Sequence, residues 1–130
     1  MAQEHKEFLK KLLLKDLCTR LPYEVKVKVK GYADACKLLA IYTNGTAYTT
    51  RDVGYPIETY FEDCKPYLFP LSSMTKEQEK EFVATLKYLP AEEINFWTLK
   101  TYEWSDKNHF DYRGLIPMGL ANDATELNIY

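Results

Sequence analysis

Glu24-Val25-Lys26-Val27-Lys28-Val29-Lys30 alternates apolar and charged residues without a break, three valines against three lysines. Period two is the mark of extended backbone, on which successive side chains point to opposite faces. Valine's branched Cβ suits a pleated surface and the lysines keep the other face in water. The stretch therefore predicts a strand with one buried and one wet face, ended by Gly31. It is the seed of an antiparallel sheet, and its neighbours can be read outward from it.

Toward the C-terminus, residues 36–43 (Cys-Lys-Leu-Leu-Ala-Ile-Tyr-Thr) predict a more buried strand. Asn44-Gly45 then marks a hairpin, because both residues tolerate the positive φ of a type I′ turn. Thr46-Ala-Tyr-Thr-Thr50 is the return strand, and Ile57-Glu-Thr-Tyr-Phe61 an edge strand or extended segment. Lys65-Pro-Tyr-Leu-Phe-Pro-Leu71 is bracketed by prolines that lack a ladder donor. It reads as extended chain wedging aromatics between layers, not as a strand in mid-sheet.

Toward the N-terminus, residues 5–20 predict a helix. Leu9, Leu13 and Leu17 form an i, i+4 stripe widened by Phe8 and Leu12, with Lys11 and Lys15 opposite, and Pro22 ends the segment. Beyond the sheet, Thr75-Lys-Glu-Gln78 is a capping box opening a helix to about Tyr88, with Phe82, Leu86 and Leu89 on its buried side. Pro90 opens a further helical turn. Residues 94–104 leave helix and strand equally open. Ser105 or Asp106 caps a short helix through Tyr112, and residues 121–130 form a polar tail anchored by Ile129-Tyr130. The fold class is α+β: a small antiparallel sheet of three to five strands, a meander or partly open barrel, packed with an N-terminal helix and C-terminal helices.

The chain of 130 residues has the length of one domain and shows no linker, repeat or low-complexity tract, so residues 1–130 read as a single unit. Its N-terminus is not patterned as a signal peptide and no apolar run is long enough to span a membrane. With three cysteines at unequal spacing, Cys18, Cys36 and Cys64, the expectation is a cytoplasmic protein with free, buried, inert thiols. Residues 1–30 hold eight Lys and Arg against four Asp and Glu, while residues 31–130 hold nine against fifteen. That basic end could dock on an acidic partner or on phosphates, or simply be a solvated helix face.

Chemistry leaves few traces. His5 and His109 are the only histidines and share no ligand spacing with the cysteines, so no metal site is expected. No glycine-rich phosphate loop exists, and no cofactor is implied. The densest polar and aromatic cluster is Trp104 to Gly114, holding His109, Asp111, Tyr112 and Arg113. On a helix, His109 and Arg113 would share one face, with Arg113 able to hold a carboxylate or phosphate and His109 titrating near neutral pH. The structural alternative has Arg113 and Asp111 anchoring a helix end. Lys26, Lys28 and Lys30, beside tyrosines, form a candidate nucleic-acid face, opposed by the net charge of −2.

Three blocks resemble a family of small uncharacterised proteins from anaerobic gut bacteria and their mobile elements. They are Lys15-Asp-Leu-Cys-Thr-Arg-Leu-Pro-Tyr23, Lys65-Pro-Tyr-Leu-Phe-Pro-Leu-Ser-Ser-Met-Thr75, and Asn108-His-Phe-Asp-Tyr-Arg-Gly-Leu-Ile116 with Gly119-Leu-Ala-Asn-Asp-Ala-Thr125. The resemblance implies a bacterial, cytosolic origin and a β-rich first half followed by helices, and it implies no activity. Pro117 stands where the family pattern wants a helix former, which argues against a continuous helix over residues 112–120.

The expected function is a non-catalytic protein-interaction module. Its protein partner would meet an aromatic surface around Trp104, His109, Asp111, Tyr112 and Arg113, or an exposed strand edge, which would also serve a homodimer. A nucleic-acid-associated regulator is the alternative. A small enzyme is the third class, and it would need a pocket gathering His109, Asp111 and Arg113 with a cysteine or tyrosine.

Overall fold

The computed structural model describes residues 2–52, 54–85 and 99–130. The chain begins with helix α1, Ala2–Arg20, followed by a single 3-10 turn, Leu21–Tyr23. Four strands then run as a meander: β1 Lys26–Val29, β2 Ala35–Ile41, β3 Thr46–Thr50 and β4 Ile57–Tyr60. Strand β5, Cys64–Pro70, returns to pair with β1. Helices α2, Lys76–Ala84, and α3, Leu99–Lys107, precede two short strands, β6 Phe110–Asp111 and β7 Asn122–Asp123. Among the described residues the sheet is mixed and seven-stranded, in the order β4-β3-β2-β1-β5-β6, with β7 also on β5. The α+β class holds, while three to five strands was too few: the short parallel partners β6 and β7 each span two residues, too little for a period to show.

The register confirms the opening stretch. Val25, Val27 and Val29 are buried, whereas Lys26 and Lys28 lie on the opposite face. Leu13 and Leu17 of α1 pack onto the valine face with Cys36, Leu38, Ala47, Ile57, Phe61, Cys64, Leu68 and Leu115. Phe8, expected in the stripe, is 58% exposed: it stands five residues before Leu13, about 140° round the helix from that buried side chain. The turn also differs from the expected type I′. Tyr42 N donates to Thr46 O and Gly45 N to Tyr42 O, and only Gly45 has positive φ, at 90°. That is a three-residue loop with its left-handed residue at glycine, stabilised by Asn44 Oδ1 accepting from Thr46 N and Thr46 Oγ1.

β5 overturns the reading of residues 65–71 as a connector. Lys30 N donates to Asp63 O, which makes Lys28–Lys65 a hydrogen-bonded pair and Val27–Pro66 a non-bonded one. The ring nitrogen of Pro66 thus faces away from β1, toward a side where the parallel partners begin only at Tyr67 and Phe69. No donor is missed there, so proline is tolerated in mid-sheet.

The link from β4 to β5, Phe61–Asp63, bends the sheet. β4 and β5 are four strand spacings apart in the sheet order, about 19 Å if flat. The four peptide steps from Tyr60 to Cys64 reach at most about 14 Å. The sheet must curl at that end, and the link crosses it with Phe61 N donating to Gly45 O on one side and Asp63 O accepting from Lys30 N on the other. It curls without closing.

The capping box is present: Thr75 Oγ1 accepts from Gln78 N, and Gln78 Oε1 from Thr75 N. The expected continuation to Tyr88, the helical turn at Pro90 and residues 94–98 lie outside the described residues; residues 99–104 are helical. Helix α3 stops at Lys107, so the short helix through Tyr112 is not formed, and Ser105 and Asp106 lie in its last turn. His109 takes φ 64°, and residues 112–120 form turns, as Pro117 suggested.

Candidate functional site

The Trp104–Arg113 cluster does not become one face of a helix. The left-handed His109 and the extended pair Phe110–Asp111 send its members in different directions. Trp104 stacks on Phe110 with ring centroids 5.5 Å apart and meets Phe82 edge-on. His109 lies flat under Tyr130 at 3.7 Å, and its carbonyl accepts from Phe69 N to start the β5–β6 pairing. Its Nδ1 is buried without a hydrogen-bond partner. Burial, with Arg20 and Lys26 nearby, pushes its pKa down to about 4, so the expected titration near neutral pH is overturned. Asp111 is buried and accepts from Leu115 N (2.8 Å) and Ile116 N (2.9 Å), pinning the turn that follows. Trp104, His109 and Asp111 thus each hold packing or hydrogen-bonding contacts within the fold.

Tyr112 and Arg113 join a buried ionic network that begins on α1. Asp16 and Arg20 have no exposed side-chain surface and are paired through Nε and Oδ2 at 2.8 Å. Arg20 Nη2 donates to the Phe110 carbonyl (2.6 Å), and Arg113 Nη1 donates to Asp16 Oδ1 (2.7 Å). Tyr112 lies against both guanidiniums, 5.2 Å from Arg20 and 4.6 Å from Arg113, and its hydroxyl donates to Asp106 Oδ1 at 2.8 Å. Burial and that carboxylate push the phenol up to about 12, so it stays a donor. Burial also raises the Asp106 carboxyl. Thr19 Oγ1 bridges Asp106 Oδ1 (3.4 Å) and Arg113 Nη1 (3.3 Å). Two acids and two arginines thus offset one another, with Arg20 Nη1, 3.9 Å from Asp106, left without a hydrogen bond.

Sequence reasoning missed Asp16, Arg20, Thr19 and Asp106 as members of this centre. A signal was there: Asp16 is three residues from Leu13 and Arg20 three from Leu17, which puts an i, i+4 ion pair on the apolar side of α1. Above the network opens a cleft of about 650 Å³, bordered by Lys15, Pro22, Tyr23, Tyr102 and Glu103 besides Asp106, Tyr112 and Arg113. Cys18 also lines it and is exposed, against the expectation of buried thiols; Cys36 and Cys64 are buried, and burial pushes Cys64 up to about 12. Among the described residues no group of three or more His, Cys, Asp or Glu could hold a metal ion.

On the other side of the sheet, the register collects Lys26, Lys28, Lys37 and Lys65 at one end of the non-core face, and Tyr42, Tyr48 and Tyr60 at the other. Lys30 lies beyond the strand. Lys26 Nζ donates to Ile129 O (2.6 Å), Lys28 Nζ to Tyr32 O, and Lys37 pairs with Glu24 at 2.9 Å. β4 is a terminal strand. Its hydrogen-bonded pairs with β3 are Ile57–Thr49 and Thr59–Ala47, in phase with Phe61 N on Gly45 O, so the amides of Glu58 and Tyr60 point outward. Tyr60 is 60% exposed and Tyr55, just before the strand, 89%.

No protein family, curated protein or solved structure matches the chain. Among the described residues no helix is long and apolar enough to cross a membrane.

Proposed function

We propose that the protein is a non-catalytic interaction module that captures an extended segment of a partner protein along β4. The observation that carries this reading is that β4 ends the sheet among the described residues. Glu58 and Tyr60 turn backbone amides outward, with Tyr60, Tyr42 and Tyr55 exposed around them. An added strand satisfies those groups and the tyrosines grip its side chains, the combination that strand-addition sites use. The Trp104–Asp111 aromatics are spent on packing, which favours the edge over that surface.

Glu58→Pro tests the reading. It removes the outward amide without touching a β3–β4 hydrogen bond, so the fold should persist. Peptides selected by display against the wild-type chain should lose about tenfold or more on Glu58→Pro. Peptides that bind both chains equally, or a selection that yields none, would remove the edge as the binding site.

One observation favours a second reading, a nucleic-acid face: four lysines share the open side of the sheet. Three of their amines are already engaged within the chain. A gel shift with single-stranded oligonucleotides at low salt decides it, since phosphate binding must appear there and weaken as salt rises.

A further inference from the structure

The cleft above the ionic network is built differently from the β4 edge and carries a separate inference. Its charges come in opposite pairs, Lys15 and Arg113 against Glu103 and Asp106. Asp106, 5% exposed, and Arg113, with 14% of its side chain exposed, form the floor. Each is held through one half only. Asp106 Oδ1 accepts from Tyr112 and Thr19, while Oδ2 makes no hydrogen bond among the described residues. Arg113 Nη1 donates to Asp16 and Thr19, and its Nε–Nη2 edge makes no hydrogen bond among the described residues. Neither remaining half is among the protein's orphaned buried atoms, and both residues line the cleft. Because one hydroxyl touches both, the carboxylate and the guanidinium are neighbours. Pro22, Tyr23 and Tyr102 supply apolar wall, and the volume suits a small organic molecule.

We propose that this cleft binds a free α-amino acid with an aromatic or large apolar side chain, its ammonium on Asp106, its carboxylate on Arg113 and Lys15, and its side chain against Tyr23 and Tyr102. Charge complementarity carries the assignment. A simple anion would meet two carboxylates and a simple cation two cationic groups. A zwitterion pairs with both floor groups and leaves neither opposed by a like charge. The α-amino acid carries its ammonium and its carboxylate on one carbon, a close pair to match the two receptors that the Thr19 hydroxyl touches. Beneath, Asp16 holds Arg113 and the Tyr112 hydroxyl holds Asp106, so little ordering remains to be done on binding.

Calorimetry on the intact chain tests this with L-phenylalanine and L-tryptophan as probes, against 3-phenylpropionate, which lacks the ammonium, and phenethylamine, which lacks the carboxylate. Each truncated analogue should bind at least about tenfold more weakly than L-phenylalanine. Asp106→Asn should erase the preference for L-phenylalanine over 3-phenylpropionate. Asp106 also holds Tyr112 and Thr19, so Lys15→Glu and Tyr102→Ala on the exposed rim are measured beside it. Both should weaken L-phenylalanine severalfold, Lys15→Glu without moving the unfolding midpoint; Tyr102 also packs on Tyr112 at 5.0 Å, so the unfolding midpoint of its variant is measured alongside. Equal affinity for L-phenylalanine and 3-phenylpropionate overturns zwitterion recognition. Unaltered binding in both rim variants overturns the location, and no binding of either amino acid at millimolar concentration overturns the site. None of these outcomes touches the β4 reading, which Glu58→Pro tests separately.

Discussion

Asp16 and Arg20 are charged side chains with no solvent contact, and that burial sets what their loss should do. Asp16 accepts from both Arg20 and Arg113, so Asp16→Ala strands two guanidiniums in a low-dielectric interior. Removing one member of a buried pair costs roughly 3–5 kcal/mol. Urea unfolding should show a loss of that order, and Asp16→Asn, which keeps an acceptor, a smaller one. His109 predicts a pH effect. Its pKa falls from 6.5 in the unfolded chain to about 4 in the folded one. The unfolded chain then takes up the proton first as pH drops. Stability is full above about 6.5 and declines toward about 4. His109→Asn keeps a residue that accepts the left-handed φ of 64° and removes the titration. Its urea-unfolding free energy should therefore lack the part of the wild-type decline that falls between those pH values; identical slopes would refute the assignment.

Elements differ in what holds them. Helix α2 fully buries none of its nine residues, so beside the contact of Phe82 with Trp104 its stability leans on its cap and its helix formers. Thr75→Ala removes the acceptor for Gln78 N and should cost about 1 kcal/mol, confined to the helix. Amide exchange at Gln78 should then quicken about fivefold while the global unfolding midpoint stays put. β5 is the opposite case, flanked on both sides and threaded by Pro66 and Pro70. Its sequence warned against a central strand, because the proline rule concerns a donor that a neighbour needs. Only the pairing register shows that at Pro66 no neighbour needs one.

At the scale of the molecule, a four-strand meander is extended by a fifth strand returning beside the first, and the short link through Phe61–Asp63 makes the sheet curl. The buried valines of β1 sit at the centre of this arrangement, between β2 and β5, whereas β4 and α2 lie at its margins. Hydrogen exchange should rank accordingly, with the amides of β1, β2 and β5 slowest and those of β4 and α2 among the first to exchange. The reverse order would mean that the edge, and not the valine layer, holds the fold together. Early exchange at β4 would fit the strand addition proposed there.

Local pattern determined much of this protein by itself: the valine–lysine strand, the glycine turn, the Thr75 cap and the leucine face of α1 each follow from forces acting within a few residues. The anchoring of the tail was legible too, since Ile129-Tyr130 is an apolar end on a polar segment, and Tyr130 does donate to Tyr67 O and accept from Lys26 N. The candidate centre was only half legible. Tyr112 and Arg113 were visible as a cation beside an aromatic, but their partners Asp16, Thr19 and Arg20 stand more than ninety residues earlier. What a charge does depends on which opposite charge is brought within hydrogen-bond reach and on how much water is left around it. Both are decided when α1, α3 and the turn after β6 pack together, and no spacing along the chain records them.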